Sequence, residues 1–174
     1  METLPHPAID LAVGAFSADG KAARLVAAID RDDTVAVLIA TASPFDSDSE
    51  ARVLVFVEHD GEEWRLPGVM NGSTYRQPAR ATTTAPGRPL DGKRTKHSGR
   101  TDTEIGWFGL TGYAAEDAIA VTVASSLGTD RVEVAADGLV LAAVRARLGK
   151  KDEDPERPVV VIHLADGTNI VDPQ

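Results

Sequence analysis

The sequence predicts a mainly β protein, either an antiparallel sandwich or a barrel-like sheet, with one short N-terminal helix. Three observations predict it: apolar runs rich in β-branched residues recur along the chain, Asp-Gly turn signals follow several of them, and an N-terminal run has helical spacing. An α+β fold with a cone-shaped sheet is the alternative, because the helix precedes the first strands.

The helix is predicted over residues 22–29, where Leu25, Val26 and Ile29 have helical spacing in an Ala-rich run. The run from Thr34 to Thr41 is continuous, apolar and β-branched, as expected of a strand covered on both faces. We therefore expect the helix to pack on a sheet that contains this strand.

A β-hairpin is predicted next. Residues 52–58 form a second apolar run, and Asp60-Gly61 follows it as a turn signal. Beyond the turn, alternation places Trp64 and Leu66 on one face of the returning strand. Residues 1–75 are thus predicted to comprise a helix and antiparallel strands.

Residues 76–104 are predicted to be a basic loop or linker. Gly, Pro, Thr, Arg and Lys dominate from residue 71 to residue 103, so these residues show no apolar pattern for a packed element. The chain has a net charge of −9, yet residues 76–100 contain a single acid, Asp91. The basic residues of this segment are candidate contacts for an anion or a partner: Arg76, Arg80, Arg88, Lys93, Arg94, Lys96 and Arg100. The structural alternative is a segment that lies on the protein's own acidic surface or is disordered.

Residues 105–174 are predicted to be an antiparallel β region, either separate from residues 1–75 or sharing one core with them. Short apolar runs separated by turn signals have the spacing of a sandwich. These runs cover residues 105–113, 118–124, 131–135, 139–146, 159–164 and 169–171. The run over residues 139–148 is alternatively a helix that ends at Gly149.

The composition allows a packed core without disulfides. The chain has 174 residues, 43% of them hydrophobic, and contains no Cys, which excludes thiol catalysis and thiolate zinc sites. The four histidines are isolated in sequence, so we predict no metal and no cofactor. His163 lies in an apolar run and is expected at the edge of the core, with its ring nitrogens bonded to backbone.

No catalytic motif is complete. Residues 87–93 fit Gly-x4-Gly-Lys, but Arg94 replaces the hydroxyl residue that binds magnesium, and prolines disrupt the flanking elements. Residues 46–50 begin like a calcium loop, but the required Gly and bidentate carboxylate are missing. Without a Gly-x-Ser-x-Gly elbow, only a triad assembled in three dimensions remains. We therefore predict that the protein is not an enzyme.

Two resemblances concern the fold. The sequences Trp107-Phe108-Gly-Leu-Thr-Gly, Val132 to Ala142 and Val161 to Gly167 repeat a strand, Asp-Gly turn, strand pattern. Through them, residues 105–172 resemble uncharacterised actinobacterial proteins with a small immunoglobulin-like β-sandwich. The helix and strands of the first half, with Asp60-Gly-Glu-Glu-Trp64-Arg, resemble the cone-shaped sheet of folds related to nuclear transport factor 2. Neither resemblance implies functional residues.

These observations favour a non-enzymatic binding or protein-interaction module, whose partner is another protein or a second copy. One alternative is a small-ligand pocket or an enzyme of the helix-on-sheet type, with Trp64 and Trp107 lining the pocket. Another is anion or nucleic-acid capture by residues 76–100. Nucleic acid is a poor candidate, because the chain is acidic and this segment lacks base-stacking aromatics.

The expected location is cytoplasmic, without membrane attachment. No apolar stretch approaches the roughly 18 residues of a membrane-spanning helix, and the first ten residues lack the basic start of a signal peptide. Export is expected instead if the N-terminus was trimmed.

Overall fold

The computed structural model describes residues 6–17, 22–43, 50–66, 73–74, 79–99, 103–150 and 153–173. The described residues are mainly β, which confirms the predicted fold class, and they form three antiparallel sheets and one short helix near the N-terminus. None of these three sheets closes into a barrel. The chain divides into two compact units, Met1–Gln77 and Pro78–Gln174. No helix in the described ranges is long and apolar enough to cross a bilayer.

The first unit is a helix packed on a five-stranded sheet. The strand order is β1-β2-β3-β4, and β5 also pairs with β3. The elements are α1 (Pro7–Phe16), β1 (Arg24–Arg31), β2 (Thr34–Ala42), β3 (Glu50–His59), β4 (Trp64–Arg65) and β5 (Ser73–Thr74).

The helix begins where the sequence supplies a cap. His6 Nδ1 accepts a hydrogen bond from the Ala8 amide at 3.1 Å, and Pro7 occupies the first helical turn, where a missing N–H is harmless. Ala8 and Ala12 are buried against alternate valines of β2 and β3. Trp64 and Leu66 pack on the same core, which confirms that they share a face.

The helix predicted over residues 22–29 is wrong, because residues 24–31 form β1. Asp32 has a φ of 53°, which closes the tight turn into β2. Every residue from Ala27 to Arg31 then has a partner on β2. Antiparallel pairing with a strongly β-forming strand outweighs the modest helix preference of an Ala-rich run.

The second unit is a sandwich of two antiparallel sheets. One sheet has the order β10-β7-β6 and the other has the order β12-β11-β8-β9. Side chains from both sheets, including Phe108 and Leu110 from one and Val121 and Ile162 from the other, form a single core. The strands are β6 (Leu90–Ser98), β7 (Ile105–Ala114), β8 (Ala118–Ala124), β9 (Thr129–Glu133), β10 (Leu139–Arg147), β11 (Val159–Leu164) and β12 (Asn169–Val171).

Two expectations for this unit need correction. The predicted basic loop or linker over residues 76–104 contains β6, which pairs with β7. An edge strand tolerates charged side chains because it has a neighbouring strand on one side only. β6 is held in the sheet by its backbone hydrogen bonds to β7, so it does not need an apolar pattern of its own. The helical alternative for residues 139–148 is also wrong, because β10 pairs with β7 along its whole length.

Candidate functional site

The outer face of the four-stranded sheet carries side chains that point away from the sandwich core. Val121, Val123, Val160 and Ile162 point inward, so alternation turns their neighbours outward. We call this outer surface the open face. Its residues are Ala120, Thr122 and Ala124 on β8, Val159, Val161 and His163 on β11, Asn169 and Val171 on β12, and Thr129, Arg131 and Glu133 on β9.

Aliphatic side chains are unusually exposed on the open face. Val159 is 48% exposed and Val171 is 61% exposed. Val171 lies directly opposite Val161 in the ladder, so the valines adjoin. A register shift between His163 and Leu164 leaves Ile119 as an extra residue on β8, and Ile119 is 49% exposed. The aliphatic area thus extends across three strands.

A line of hydrogen bonds crosses the same face. The distances are 2.7 Å from Thr122 Oγ1 to His163 Nε2 and 2.7 Å from His163 Nδ1 to Asn169 Oδ1. Because Asn169 Oδ1 can only accept, Nδ1 donates to it, and in the neutral imidazole Nε2 then accepts the Thr122 hydroxyl proton. The expectation that backbone groups hydrogen-bond to this ring is wrong, because its partners are the side chains of Thr122 and Asn169 on the neighbouring strands.

This line has the order of groups found in a nucleophilic triad, namely hydroxyl, imidazole and amide. It lies across three strands of an open sheet face, beside exposed valines. Both ring nitrogens of His163 already have partners within the protein. The arrangement therefore lets polar side chains lose contact with water at a reduced cost.

Arg80, a candidate partner contact, makes three hydrogen bonds within the second unit. Its Nε donates to the Ala114 carbonyl at 3.2 Å, and its two terminal nitrogens donate to the Ala136 carbonyl at 2.9 Å and the Ala115 carbonyl at 3.2 Å. The guanidinium therefore ties the start of this unit to the ends of two strands.

Other basic residues of the predicted segment also have local partners. Arg88 pairs with Asp91 at 2.7 Å on the surface, and Lys93 Nζ lies 2.6 Å from the buried carboxylate of Asp172. Lys96 is half-buried, and this burial lowers its pKa. Arg94 lies on β6, while Arg76 and Arg100 lie outside the described residues. These contacts support a structural role for the segment.

A groove of about 260 Å³ lies beside β6. His97 Nε2 donates to the Glu156 carbonyl at 2.8 Å, and the His97 ring meets the Phe108 ring edge-on at 5.1 Å between centroids. Pro155 and Pro158 form further walls of the groove. The groove thus combines apolar walls with charged side chains, namely Lys93, Asp154, Arg157 and Asp172.

The Glu156 carboxylate fastens the chain that borders this groove. It accepts hydrogen bonds from the Arg147 amide at 3.0 Å and from the amide and hydroxyl of Ser126. The bond from the Arg147 amide, joined by those from Ser126, lowers the pKa of Glu156 and outweighs the effect of burial. Glu156 therefore ties the chain that borders the groove to Arg147 and Ser126.

The two tryptophans belong to different units. Trp64, in the first, contacts the rings of His6 and His59 edge-on, with centroid distances of 5.1 and 4.9 Å. Trp107, in the second, is 4% exposed and has the Arg145 guanidinium 4.5 Å from its ring centroid. Each ring therefore has packing contacts within its own unit, and their joint pocket stays a prediction.

In the part of the chain that the structure describes, no group of three or more His, Asp or Glu residues is arranged to hold a metal. Comparison with protein-family models, curated proteins and solved structures gives no match for this chain. The open face therefore has to be interpreted from its own geometry. The sequence analysis did not predict this face, although Val159, Val161 and His163 occupy alternate positions of one strand and therefore share a face.

Proposed function

We propose that this chain is a protein-interaction module and that the open face is its binding surface. One observation carries the proposal: exposed aliphatic side chains surround polar side chains that already hydrogen-bond to one another. Exposed apolar patches on soluble domains are typical of interaction sites. The partner is a protein surface, because the face is a flat sheet rather than a cavity.

The energetics of dehydration support this proposal. Removing water from Val159 and Val171 is favourable in proportion to the apolar area that becomes covered. Removing water from His163 would normally be costly, but both ring nitrogens keep their partners when the face is covered. A partner therefore gains apolar contact without leaving the imidazole unpaired.

We also propose that the second unit is immunoglobulin-like. Its seven strands form a three-stranded and a four-stranded antiparallel sheet around one core, which supports this assignment. Crossed connectivity supports it further, because β7 pairs with β10 while β8 pairs with β11. The fold alone implies no function, so the interaction proposal depends on the open face.

Site-specific photo-crosslinking tests the interaction proposal. A benzophenone side chain replaces Val171 on the open face or, as a matched control, Ile105, which is 45% exposed on the three-stranded sheet. We expect protein adducts from position 171 that disappear when Val159→Glu is added, and far fewer adducts from position 105. Equal yields at both positions would contradict the proposal.

The groove beside β6 supports a second candidate function, the binding of a small ligand. Its volume of about 260 Å³ is slightly below the usual range for ligand pockets, and its lining offers apolar walls together with charged side chains. A thermal-shift screen against a metabolite panel tests it. A stabilising compound should lose its effect in His97→Leu and keep it in Val171→Glu, whereas a panel without any stabilising compound would count against this function.

A further inference from the structure

We infer that the partner of the open face is the open face of a second copy, in a dimer with twofold symmetry. This inference rests on the proposed function and adds the identity of the partner. It follows from the order of small and large residues across the two central strands, from the polar groups at the rim and from the charge of the face.

The two central strands present side chains of different size in register. Ala120 lies opposite His163, Thr122 lies opposite Val161, and Ala124 lies opposite Val159. In the first and third rows the smaller residue is on β8 and the larger residue is on β11, whereas Thr122 and Val161 are similar in size. The open face therefore has a shallow trough at Ala120 and Ala124 of β8 and a ridge at Val159 and His163 of β11.

A twofold axis parallel to the strands, between β8 and β11, makes this surface complementary to itself. Such an axis lays β11 of one copy over β8 of the other, so that every ridge meets a trough and the contact occurs twice. The two sheets then pack face to face with their strands aligned and a separation of about 10 Å.

The polar groups at the rim are complementary in the same arrangement. The axis places β9 of one copy over β12 of the other, so Glu133 comes opposite Asn169. Because Asn169 Oδ1 is engaged by His163, the amide hydrogens of Asn169 remain for the Glu133 carboxylate. Arg131 comes opposite Val171, whose exposed side chain its aliphatic stem can cover.

The charge of the open face does not oppose self-association. The chain has a net charge of −9, so two copies repel each other on average. The open face carries one positive and one negative side chain, Arg131 and Glu133. Contact through this face therefore adds no excess of like charge.

Thiol cross-linking tests the inference, because the chain has no Cys of its own. Arg131→Cys and Val171→Cys are prepared separately with tags of different mass, and both positions are exposed, so folding should be preserved. With a bismaleimide long enough to span the separation of about 10 Å between facing sheets, an equimolar mixture should give a linked dimer that contains both chains. Each variant alone should give at least tenfold less, because like edges of the two copies are displaced sideways by about 14 Å in addition to this separation.

Other results overturn the inference in distinguishable ways. Efficient linking of Arg131→Cys to itself would indicate an axis across the strands, which contradicts this arrangement. No linking in the mixture would show that the partner is not a second copy. If position 171 then still gave photo-adducts whose mass is not twice that of the chain, the interaction proposal would stand and only the identity of the partner would be wrong.

Discussion

The basic segment at residues 76–104 and the open face differ in how their side chains are used. Arg80, Arg88 and Lys93 are held by carbonyls or carboxylates of their own unit. Val159 and Val171 on the open face are about half exposed or more. The charged side chains thus have partners within their own unit, whereas the proposed binding surface arises where residues 118–124 become adjacent in space to residues 159–171.

This difference predicts a division of effects. Substitutions in the basic segment should lower the free energy of unfolding and leave association unchanged. Substitutions on the open face should weaken association and leave the free energy of unfolding nearly unchanged. The following predictions test this division, beginning with the largest expected change in stability.

Arg80→Ala should cost about 3 kcal/mol in the free energy of unfolding, because charged hydrogen bonds contribute about 1.5–3 kcal/mol each and are not additive. Urea denaturation followed by fluorescence measures this cost. The matched control is Arg88→Ala, whose exposed ion pair should contribute about 0.5 kcal/mol or less. Equal costs for the two variants would show that the hydrogen bonds of Arg80 are not structural.

Lys93→Met should cost about 1–3 kcal/mol, because it leaves the buried Asp172 carboxylate without its ammonium partner. A double-mutant cycle with Asp172→Asn measures the coupling between the two side chains. We expect the double variant to be less destabilised than the sum of the single variants. Simple additivity would mean that the pair contributes nothing.

Glu156 should give stability a pH dependence in the acid range. Hydrogen bonds from the Arg147 amide and from Ser126 lower its pKa below the ordinary value of 4.5 in the folded protein. Its contribution is therefore present above that value and is lost as the pH falls through the lower folded pKa. Urea midpoints between about pH 6 and about pH 3 should fall less steeply in Glu156→Gln. An unchanged slope would contradict this assignment.

Val171→Ala should change the free energy of unfolding by no more than about 0.5 kcal/mol, because the side chain is largely exposed. Ile162→Ala, on the inner face of the same sheet, is the comparison and should cost about 2–5 kcal/mol. Both are measured by urea denaturation. Comparable costs would mean that the two faces of the sheet do not differ as described.

The sequence predicted most strands because their signals are local. Residues 118–124, 159–164 and 169–171 were predicted with the observed bounds, since β-branched runs and turn signals mark them. Local signals did not predict the two strands whose structure depends on pairing with a neighbouring strand. β1 follows an Ala-rich pattern that favours a helix, and β6 has too few apolar residues to indicate a strand before its ladder with β7 is known.

The candidate site was less predictable than the fold, for a related reason. Thr122, His163 and Asn169 are separated in sequence by 41 and 6 residues, and only the register of three strands brings them together. The exposure of Val159 and Val171 depends on which face of the sheet packs against the core. Neither these hydrogen bonds nor this exposure can be predicted from a single sequence without knowing how the strands pair.

Sedimentation equilibrium of three forms of the full chain tests most directly whether the open face, and not the basic segment, is the binding surface. We predict that the unsubstituted protein dimerises with rising concentration, that Val171→Glu weakens dimerisation at least tenfold, and that Arg88→Glu leaves it unchanged. Loss of dimerisation in Arg88→Glu with full retention in Val171→Glu would contradict the account.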